Sequence, residues 1–423
     1  MFVYSKKVGV FCVLLSLSAF SAAQTADDYF SDSDYFSETD SALTVSGDVT
    51  AQFRQFQQSG SRSSQSSSNV SLSFEPEFYY QVPDSKDSFT FKPFVRWDES
   101  DNERSHADIR ELNWHHVAAQ WELKAGISSV FWGVTETVHL VNIINQIDGV
   151  ENLDEEDQLG QFMLNLTLVK DWGNLDVFIL PGFRERTFAS REGRPGTNTL
   201  ISSDAAIYQS SAENKRTDLA VRWSRSVDMW DIGLVYFHGT SREARFSNEV
   251  TYGKTPFQLN SYGEVELIPI YDVIDQVSID VQATFDAWLF KLEALTRSGQ
   301  EDRFTAAAAG IEYTFFDVFF SGVDIGFVTE YLYDERDFKA TDDDISLALR
   351  LAFNDISSTE FLAGIARDLN NESEYYFIEA SRRLADSFKL SLEVRGVSRV
   401  DATDPLLQLY GDNFAQLELG YYF

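Results

Sequence analysis

Apolar and polar residues alternate along many segments of the chain, with the period of two that is typical of β-strands. From Val277 to Phe285 every second residue is apolar, and the residues between them are Ser, Asp, Gln or Thr. Segments 345–353 and 388–395 repeat the pattern. The alternation predicts strands with one apolar and one polar face. A soluble β-sandwich and a transmembrane β-barrel share this pattern, so alternation alone does not choose between them.

Strand number and loop length favour the barrel. Strands are predicted to start near residues 41, 69, 87, 106, 120, 162, 174, 216, 230, 275, 288, 304, 321, 343, 359, 373, 387 and 413. This gives about eighteen strands, with sixteen as the alternative, and bacterial single-chain barrels have an even number.

Connections after even-numbered strands are short, such as "PDSKD" and "LADS". Those after odd-numbered strands are mostly long, such as 133–161, 186–215 and 242–274. The expected fold is therefore all-β, a transmembrane antiparallel barrel over residues 41–423 with short periplasmic turns and long outer loops.

The chain ends in "AQLELGYYF", which places Leu417, Leu419, Tyr421 and Phe423 on one face of a last strand. Closure of a barrel requires this strand to pair with the first, "LTVSGDVTAQF". A final Phe after alternating apolar residues resembles the C-terminal signal read by the barrel assembly machinery of the outer membrane. This resemblance implies that the machinery is a partner.

The first 23 residues have the features of a cleaved secretory signal. Lys6 and Lys7 precede the apolar run "VGVFCVLLSLSAF", and "SAA" stands before Gln24. A membrane anchor is the alternative, but the run of 13 residues is shorter than the roughly 20 that a spanning helix needs. Cys12 is the only cysteine and lies in this run, so the exported chain is expected to fold without disulfides.

Residues 24–40, "QTADDYFSDSDYFSETD", show no strand pattern and are rich in acids, which predicts a disordered periplasmic lead-in. Asp32 and Asp34 alternate as in a calcium loop, but the glycine and terminal Glu of such a loop are missing. We therefore assign no metal there.

Composition supports a membrane location. The chain has 35 Phe, 18 Tyr and 8 Trp, and no apolar stretch after residue 24 is long enough for a spanning helix. Aromatic girdles are typical of transmembrane barrels. The net charge of -33 argues against nucleic acid as a partner. The many acidic residues either keep the protein soluble or, alternatively, bind lipopolysaccharide through bridging divalent cations.

The loop at 133–161 is the first candidate for a functional element. Its residues Val138, Val141, Ile144 and Ile147 recur at a helical spacing, which predicts a short amphipathic helix. The apolar side of this helix would either enter the barrel and constrict the pore or cap the rim, and both remain open. The polar candidates in the loop are Glu136, His139, Asn142, Asn145 and Asp148.

The region "GISSVFWGVTETVHLVNIINQID" and the following strand pair ending in Leu-Pro resemble a proteobacterial group of outer-membrane barrels that is loosely similar to alginate-export-type porins. The matching residues are Trp132, Gly133, Asn142, Asn145, Asp148, Leu180 and Pro181. The chain has Asn145-Gln146 where relatives often show Asn-Pro. The resemblance implies a porin-like barrel.

Charged residues supply the remaining site candidates. Strand alternation places a set of them on the inner face as pore-lining residues: Arg222, Asp280, Arg350, Glu393 and Arg395. Each could equally form an ion pair that only stabilises the wall. A further loop carries Arg184, Arg186, Arg191 and Arg194, which would bind anions or pair with neighbouring acids and lipid phosphates.

Enzyme chemistry is not expected. None of the five histidines is joined to a recognisable nucleophile motif, and His115 and His116 point to opposite faces of a strand, so they cannot share a metal. No cofactor or metal is predicted.

The sequence thus predicts a porin-like channel in the cell outer membrane that passes small hydrophilic solutes by passive diffusion. The alternative is a non-conducting barrel, plugged by its loops, that acts as an adhesin or as the outer partner of a periplasmic complex. Expected partners are outer-membrane lipid and lipopolysaccharide, and the barrel is either a monomer or a homo-trimer.

Overall fold

The computed structural model describes residues 42–336, 339 and 342–423. Eighteen strands form one closed antiparallel barrel. In chain order, β1 to β18 are Leu43–Phe56, Ser68–Gln81, Asp87–Asp98, Ala107–Val117, Trp121–Ser128, Gln161–Lys170, Gly173–Pro181, Thr217–Val227, Trp230–Thr240, Val273–Phe285, Trp288–Gly299, Glu301–Phe315, Asp324–Asp334, Asp343–Ala352, Glu360–Asp368, Glu374–Ala385, Phe388–Arg399 and Phe414–Tyr422. This confirms the predicted fold class and the higher of the two strand counts.

Two predicted segments, the signal peptide 1–23 and the acidic lead-in 24–40, lie outside the described residues. Both stay predictions.

The barrel closes between its first and last strands. β1 pairs with β18 from Asp48 opposite Tyr422 to Phe56 opposite Phe414. Next to the pair of Asp48 and Tyr422, Gly47 and Phe423 exchange two backbone hydrogen bonds of 3.1 Å. Since each strand has a neighbour on both sides, the sheet has no edge, which is the condition for a β-structure to sit in hydrocarbon.

The two faces of the wall differ as alternation predicts. On β18, Leu417, Leu419 and Tyr421 point outward and are 47%, 40% and 41% exposed, whereas the inward Gln416 is buried. The outer face therefore presents an apolar surface, while most inward residues are polar and covered by other parts of the chain.

One end of the barrel, here called the short-turn end, carries the connections after even-numbered strands. The opposite, long-loop end carries segments 129–160, 182–216 and 241–272. The last two are joined by short parallel pairings, Leu200 with Glu266 and Ile207 with Ile270. The strands in these loops are Leu200–Ile201, Ile207–Tyr208, Phe257–Leu259, Val265–Leu267 and Ile270–Tyr271.

Helical structure among the described residues is limited to short 3-10 turns at Ser203–Ala205, Glu213–Lys215, Val318–Phe320 and Pro405–Leu409. None of the described helices is long and apolar enough to cross a membrane. The prediction of an amphipathic helix in 133–161 was wrong, because this segment contains no helix and its regular structure is limited to a bridge between Ile147 and Gln158 and the first residue of β6.

Candidate channel constriction

The segment 133–161 leaves the wall after β5 and contacts the opposite side of the barrel. Its backbone N–H groups at Val134 and Thr135 donate to Oε1 of Glu293 on β11, at 2.6 and 3.0 Å. The N–H groups of Glu136 and Thr137 donate to Glu330 on β13, both at 2.8 Å. The loop therefore spans the interior of the barrel and is anchored on the far wall.

Both anchoring carboxylates are deeply buried, Glu293 at 0% and Glu330 at 1% exposure. Glu293 also accepts from the Thr135 hydroxyl at 2.8 Å and from Val141 N–H at 3.1 Å. A buried carboxylate is stable only when its oxygens are hydrogen-bonded, and here the loop backbone supplies the donors. Loop and wall thus depend on each other.

Glu136 adds a charged contact next to these anchors. Its carboxylate lies 2.5 Å from Lys291 Nζ and 3.1 Å from an Arg350 guanidinium nitrogen. Burial alone would raise the pKa of Glu136, but the nearby Lys291 and Arg350 outweigh it and hold that pKa at about 2. Glu136 is therefore an anion at neutral pH and bridges two inward-facing cations.

Two asparagines shape the loop rather than facing open space. Asn145 donates to the carbonyl oxygens of Ser128 and Leu159, at 2.8 and 2.9 Å, and accepts from Val130 N–H at 2.9 Å. Asn142 accepts from Trp132 N–H at 2.7 Å. Their side chains form hydrogen bonds with backbone N–H and C=O groups. In a helix, such groups would bond to one another.

His139 lies against the ring of Phe131, with ring centroids 4.7 Å apart. Neither of its ring nitrogens has a hydrogen-bond partner in the described part of the chain. Burial lowers the pKa of His139 to about 4, so the imidazole is neutral at physiological pH. The structure therefore gives His139 a packing role in this loop.

The middle of the loop returns to the wall it left. Asp148 is 2.8 Å from Arg110 and 3.2 Å from His106, and Thr187 donates to it at 2.7 Å. Burial opposes ionisation of Asp148, but these partners hold the pKa of its carboxyl well below the usual range. Asp148 is thus a charged anchor on the near side of the barrel.

Apolar residues of the loop fill the neighbouring part of the interior. Ile143 and Ile144 are 2% and 1% exposed. They pack against an inward-facing cluster formed by Met163, Phe178, Leu180, Ala220, Phe237 and Ile274. Both neighbours can be buried because the loop is irregular and enclosed by the barrel wall. In a helix, the side chains of Ile143 and Ile144 would point in different directions.

Arg350, one of the predicted pore-lining residues, pairs with Glu136 as described above, and the other four form two separate networks. In the first, Arg222 donates to both oxygens of Asp280 at 2.6 and 2.9 Å and lies over the Trp132 ring, 4.9 Å from its centroid. Gly233 sits between them, where a Cβ would come within 2.4 Å of Arg222 and of Asp280. Glycine is therefore required for this ion pair to cross the intervening strand.

The second network centres on Arg395, which is 2% exposed. It lies 2.8 Å from Glu379 and 3.4 Å from Asp154 of the loop, and it also contacts Glu393. Tyr375 Oη is 3.3 Å away. Arg395 thus neutralises several acids inside the barrel and joins 133–161 to a third part of the wall.

The four loop arginines do not form one cluster. Arg184 pairs with Asp108 at 2.9 Å, Arg186 with Glu155 at 2.7 Å, Arg191 with Glu264 at 2.8 Å and Arg194 with Asp412 at 2.7 Å. Each guanidinium therefore has an acid of this chain as its partner, and the structure shows no shared anion-binding surface among them.

The two residues that anchor the loop, Glu293 and Glu330, were not among the predicted site residues. Alternation places Glu293 and Glu330 on the inner faces of their strands, but no local pattern links them to 134–141. Lys291 also faces inward by alternation, and no local pattern links it to Glu136. The only local signal for Glu293 was a carboxylate within the short stretch "LEALT", whose other residues are apolar or small.

Replacing Arg222 with alanine is expected to leave Asp280 without its bidentate partner on the inner wall. If this wall faces the permeation path, Arg222→Ala shifts the reversal potential in a salt gradient toward cation preference. Arg382→Ala, which removes a charge that is 57% exposed at the short-turn end, serves as the control and is expected to leave the potential unchanged. Equal potentials for Arg222→Ala and wild type would place Arg222 outside the path.

No family model and no curated protein matches the chain. Among solved structures, it is similar to a triple mutant of the Rhodopseudomonas blastica porin, with 12% identity, 90% of this chain and 100% of that chain covered, and a TM-score of 0.44. A structure described as "Asymmetric conductivity of engineered proteins" is similar to the same extent, with 12% identity, the same coverage and a TM-score of 0.44.

Proposed function

We propose that the chain is an outer-membrane channel through which small hydrophilic solutes diffuse passively, narrowed by the segment 133–161. The observation that carries this proposal is the closed barrel with an apolar outer face and charged residues on its inner wall. An apolar exterior is suited to acyl chains, and a charged interior is suited to water and polar solutes.

The interior opens at the short-turn end. On β1, the inward-facing Thr44 and Ser46 are exposed, whereas Asp48 and Thr50 further along the same face are buried. A vestibule therefore leads from the short-turn end to the crossing loop. In our proposal the vestibule faces the periplasm, and solutes pass the contacts around Glu136 and Arg222.

Dense packing halfway along the barrel favours a second candidate, a barrel plugged by its own loops. Glu293, Glu330 and Arg395 are all within 2% of full burial. In such a barrel the wall charges stabilise the fold, and the protein acts as an adhesin or as the outer partner of a periplasmic complex. The resemblance to alginate-export-type porins stays a prediction and chooses neither candidate.

Interactions with the surroundings follow from the proposed location. Outer-membrane lipid and lipopolysaccharide would contact the apolar belt and the long-loop rim. The barrel assembly machinery would recognise the last strand, where Leu417 to Phe423 present their apolar side chains. In this proposal the barrel is either a monomer or a homo-trimer.

Conductance across a planar bilayer separates the two candidates. The protein is refolded in detergent, and a shift in gel mobility on boiling verifies the barrel. Steady ohmic current steps that grow when residues 136–155 are deleted would support the channel. A well-folded protein that gives no current would contradict the channel and support the plugged barrel.

A further inference from the structure

A group of three aspartates lies at the long-loop end, away from the crossing loop. Asp344 on β14 stands directly opposite Asp368 on β15. Asp342 precedes β14, and one carboxylate oxygen from each of the three lies within 4.8 Å of the others. Strand pairing therefore holds two of the three carboxylates face to face.

Asp344 and Asp368 are deeply buried, and Asp342 is partly buried. Asp368 is 1% exposed and Asp344 is 4% exposed. Among the described residues, Oδ2 of each and Oδ1 of Asp342 are buried and have no hydrogen-bond partner. In the described part of the chain no Lys, Arg or His forms an ion pair with any of the three. Asp404, 3% exposed, adds a further negative charge that acts on Asp344.

Such an arrangement is unfavourable for the protein alone. Placing like charges together out of water is strongly unfavourable unless a cation or hydrogen bonds compensate them. The second carboxylate group in this barrel, Asp148 with Glu151 and His106, shows the contrast. Arg110 lies 2.8 Å from Asp148 and Arg96 lies 2.6 Å from Glu151, so that group is already neutralised.

We propose that Asp342, Asp344 and Asp368 bind one divalent cation, with Ca²⁺ preferred. Carboxylate oxygens are hard ligands that suit Ca²⁺ and Mg²⁺ rather than transition metals. Oxygens bound to Ca²⁺ at roughly 2.4 Å can be up to about 4.8 Å apart, which fits the observed spacing. Mg²⁺ demands shorter distances and strict octahedral geometry, and it keeps more of its water.

A cation bound here would link Asp342 and Asp344, at the start of β14, to the loop that follows Asp368. Asp368 already orders that loop, since its Oδ1 accepts from the backbone N–H groups of Asn370 and Asn371 at 2.6 and 3.0 Å. Its other oxygen remains available for the cation. The proposal is independent of whether the barrel conducts.

Calorimetric titration of CaCl₂ into the refolded, EDTA-treated barrel tests the proposal, in detergent free of lipopolysaccharide and in about 0.15 M NaCl to screen weak surface binding. We expect one saturable Ca²⁺ per barrel in the wild type and at least a tenfold weaker affinity in the double variant Asp344→Asn with Asp368→Asn. MgCl₂ is expected to bind more weakly than CaCl₂.

Asp343→Asn is the matched control, because it removes the same charge one residue away. Asp343 accepts a hydrogen bond from Tyr331 at 2.6 Å and is not part of the group. Its Ca²⁺ affinity should equal that of the wild type. Absence of a saturable site in the wild type, or equal affinity in the double variant, would overturn the proposal.

Thermal unfolding gives a second readout that does not depend on a titration heat. In EDTA, the double variant should unfold at a higher temperature than the wild type, because the repulsion between carboxylates is removed. Ca²⁺ should then raise the unfolding temperature of the wild type only. A double variant that unfolds at a lower temperature than the wild type in EDTA would show that the carboxylates are structural, and the proposal would fail.

Discussion

The double variant Glu293→Ala with Glu330→Ala is expected to raise the single-channel conductance several-fold. These two carboxylates hold the far end of the crossing loop through the N–H groups of 134–137 and of Val141. Leaving a buried donor without its acceptor costs about 1–3 kcal/mol. Because several loop N–H groups lose their acceptors at once, the loop is expected to detach from the wall. The permeation path would then become wider.

Amide variants provide the control for this experiment. Glu293→Gln with Glu330→Gln removes the charge and replaces one of the two accepting oxygens at each position with an amide nitrogen, but keeps the other as an acceptor for the loop. We expect a conductance much nearer to the wild-type value than that of the alanine variant. If the alanine variant conducts like the wild type while its barrel remains folded, the crossing loop does not limit the current.

Arg395→Met is expected to cause the largest loss of stability among single substitutions considered for the wall. It leaves the buried Glu393 and Asp154 and the partly buried Glu379 without their shared cation. Breaking a buried ion pair by removing one partner typically costs about 3–5 kcal/mol. The free energy of unfolding, measured by urea titration of the barrel in lipid vesicles, reports this loss.

The exposed Arg382 offers the matched comparison, since its guanidinium lies 3.8 Å from Asp355 at the surface. Surface ion pairs contribute about 0–1 kcal/mol, so Arg382→Met should change the free energy of unfolding little. Equal losses in the two variants would contradict the central role of Arg395.

The barrel could be predicted from sequence because its signal is local and repeated. The predicted strand starts all lie within three residues of the observed ones. The two largest offsets, at Glu301 and Asp324, flank β12 and the connection "FFDVFFSG". This connection is apolar enough to resemble strand residues, so its boundaries are not marked by polarity.

The interior was harder to predict, because its contacts join residues far apart in the chain. The spacing of Val138, Val141, Ile144 and Ile147 predicted a helix, but Glu293 and Glu330 take the backbone donors that a helix needs. These partners lie on strands of the opposite wall. Local periodicity contains no information about them.

The same limit applies to the charged groups. Close spacing could not tell whether the four arginines from 184 to 194 bind anions together or pair with acids, and in the structure each pairs with a different acid of the fold. Conversely, Asp344 and Asp368 are separated in sequence and match no calcium-loop pattern, but strand pairing places them opposite each other.

Accessibility of spin labels along β14 tests most directly whether the apolar face meets lipid. The only cysteine, Cys12, precedes the barrel, so single-cysteine variants in a Cys12→Ser background give unambiguous labels. In lipid vesicles, labels at the outward Ile345, Leu347 and Leu349 should collide with oxygen, which dissolves in acyl chains, and be shielded from a water-soluble nickel complex. A label at the inward Ala348 should show lower oxygen accessibility than its neighbours. Outward labels that are accessible to nickel and not to oxygen would contradict a transmembrane barrel.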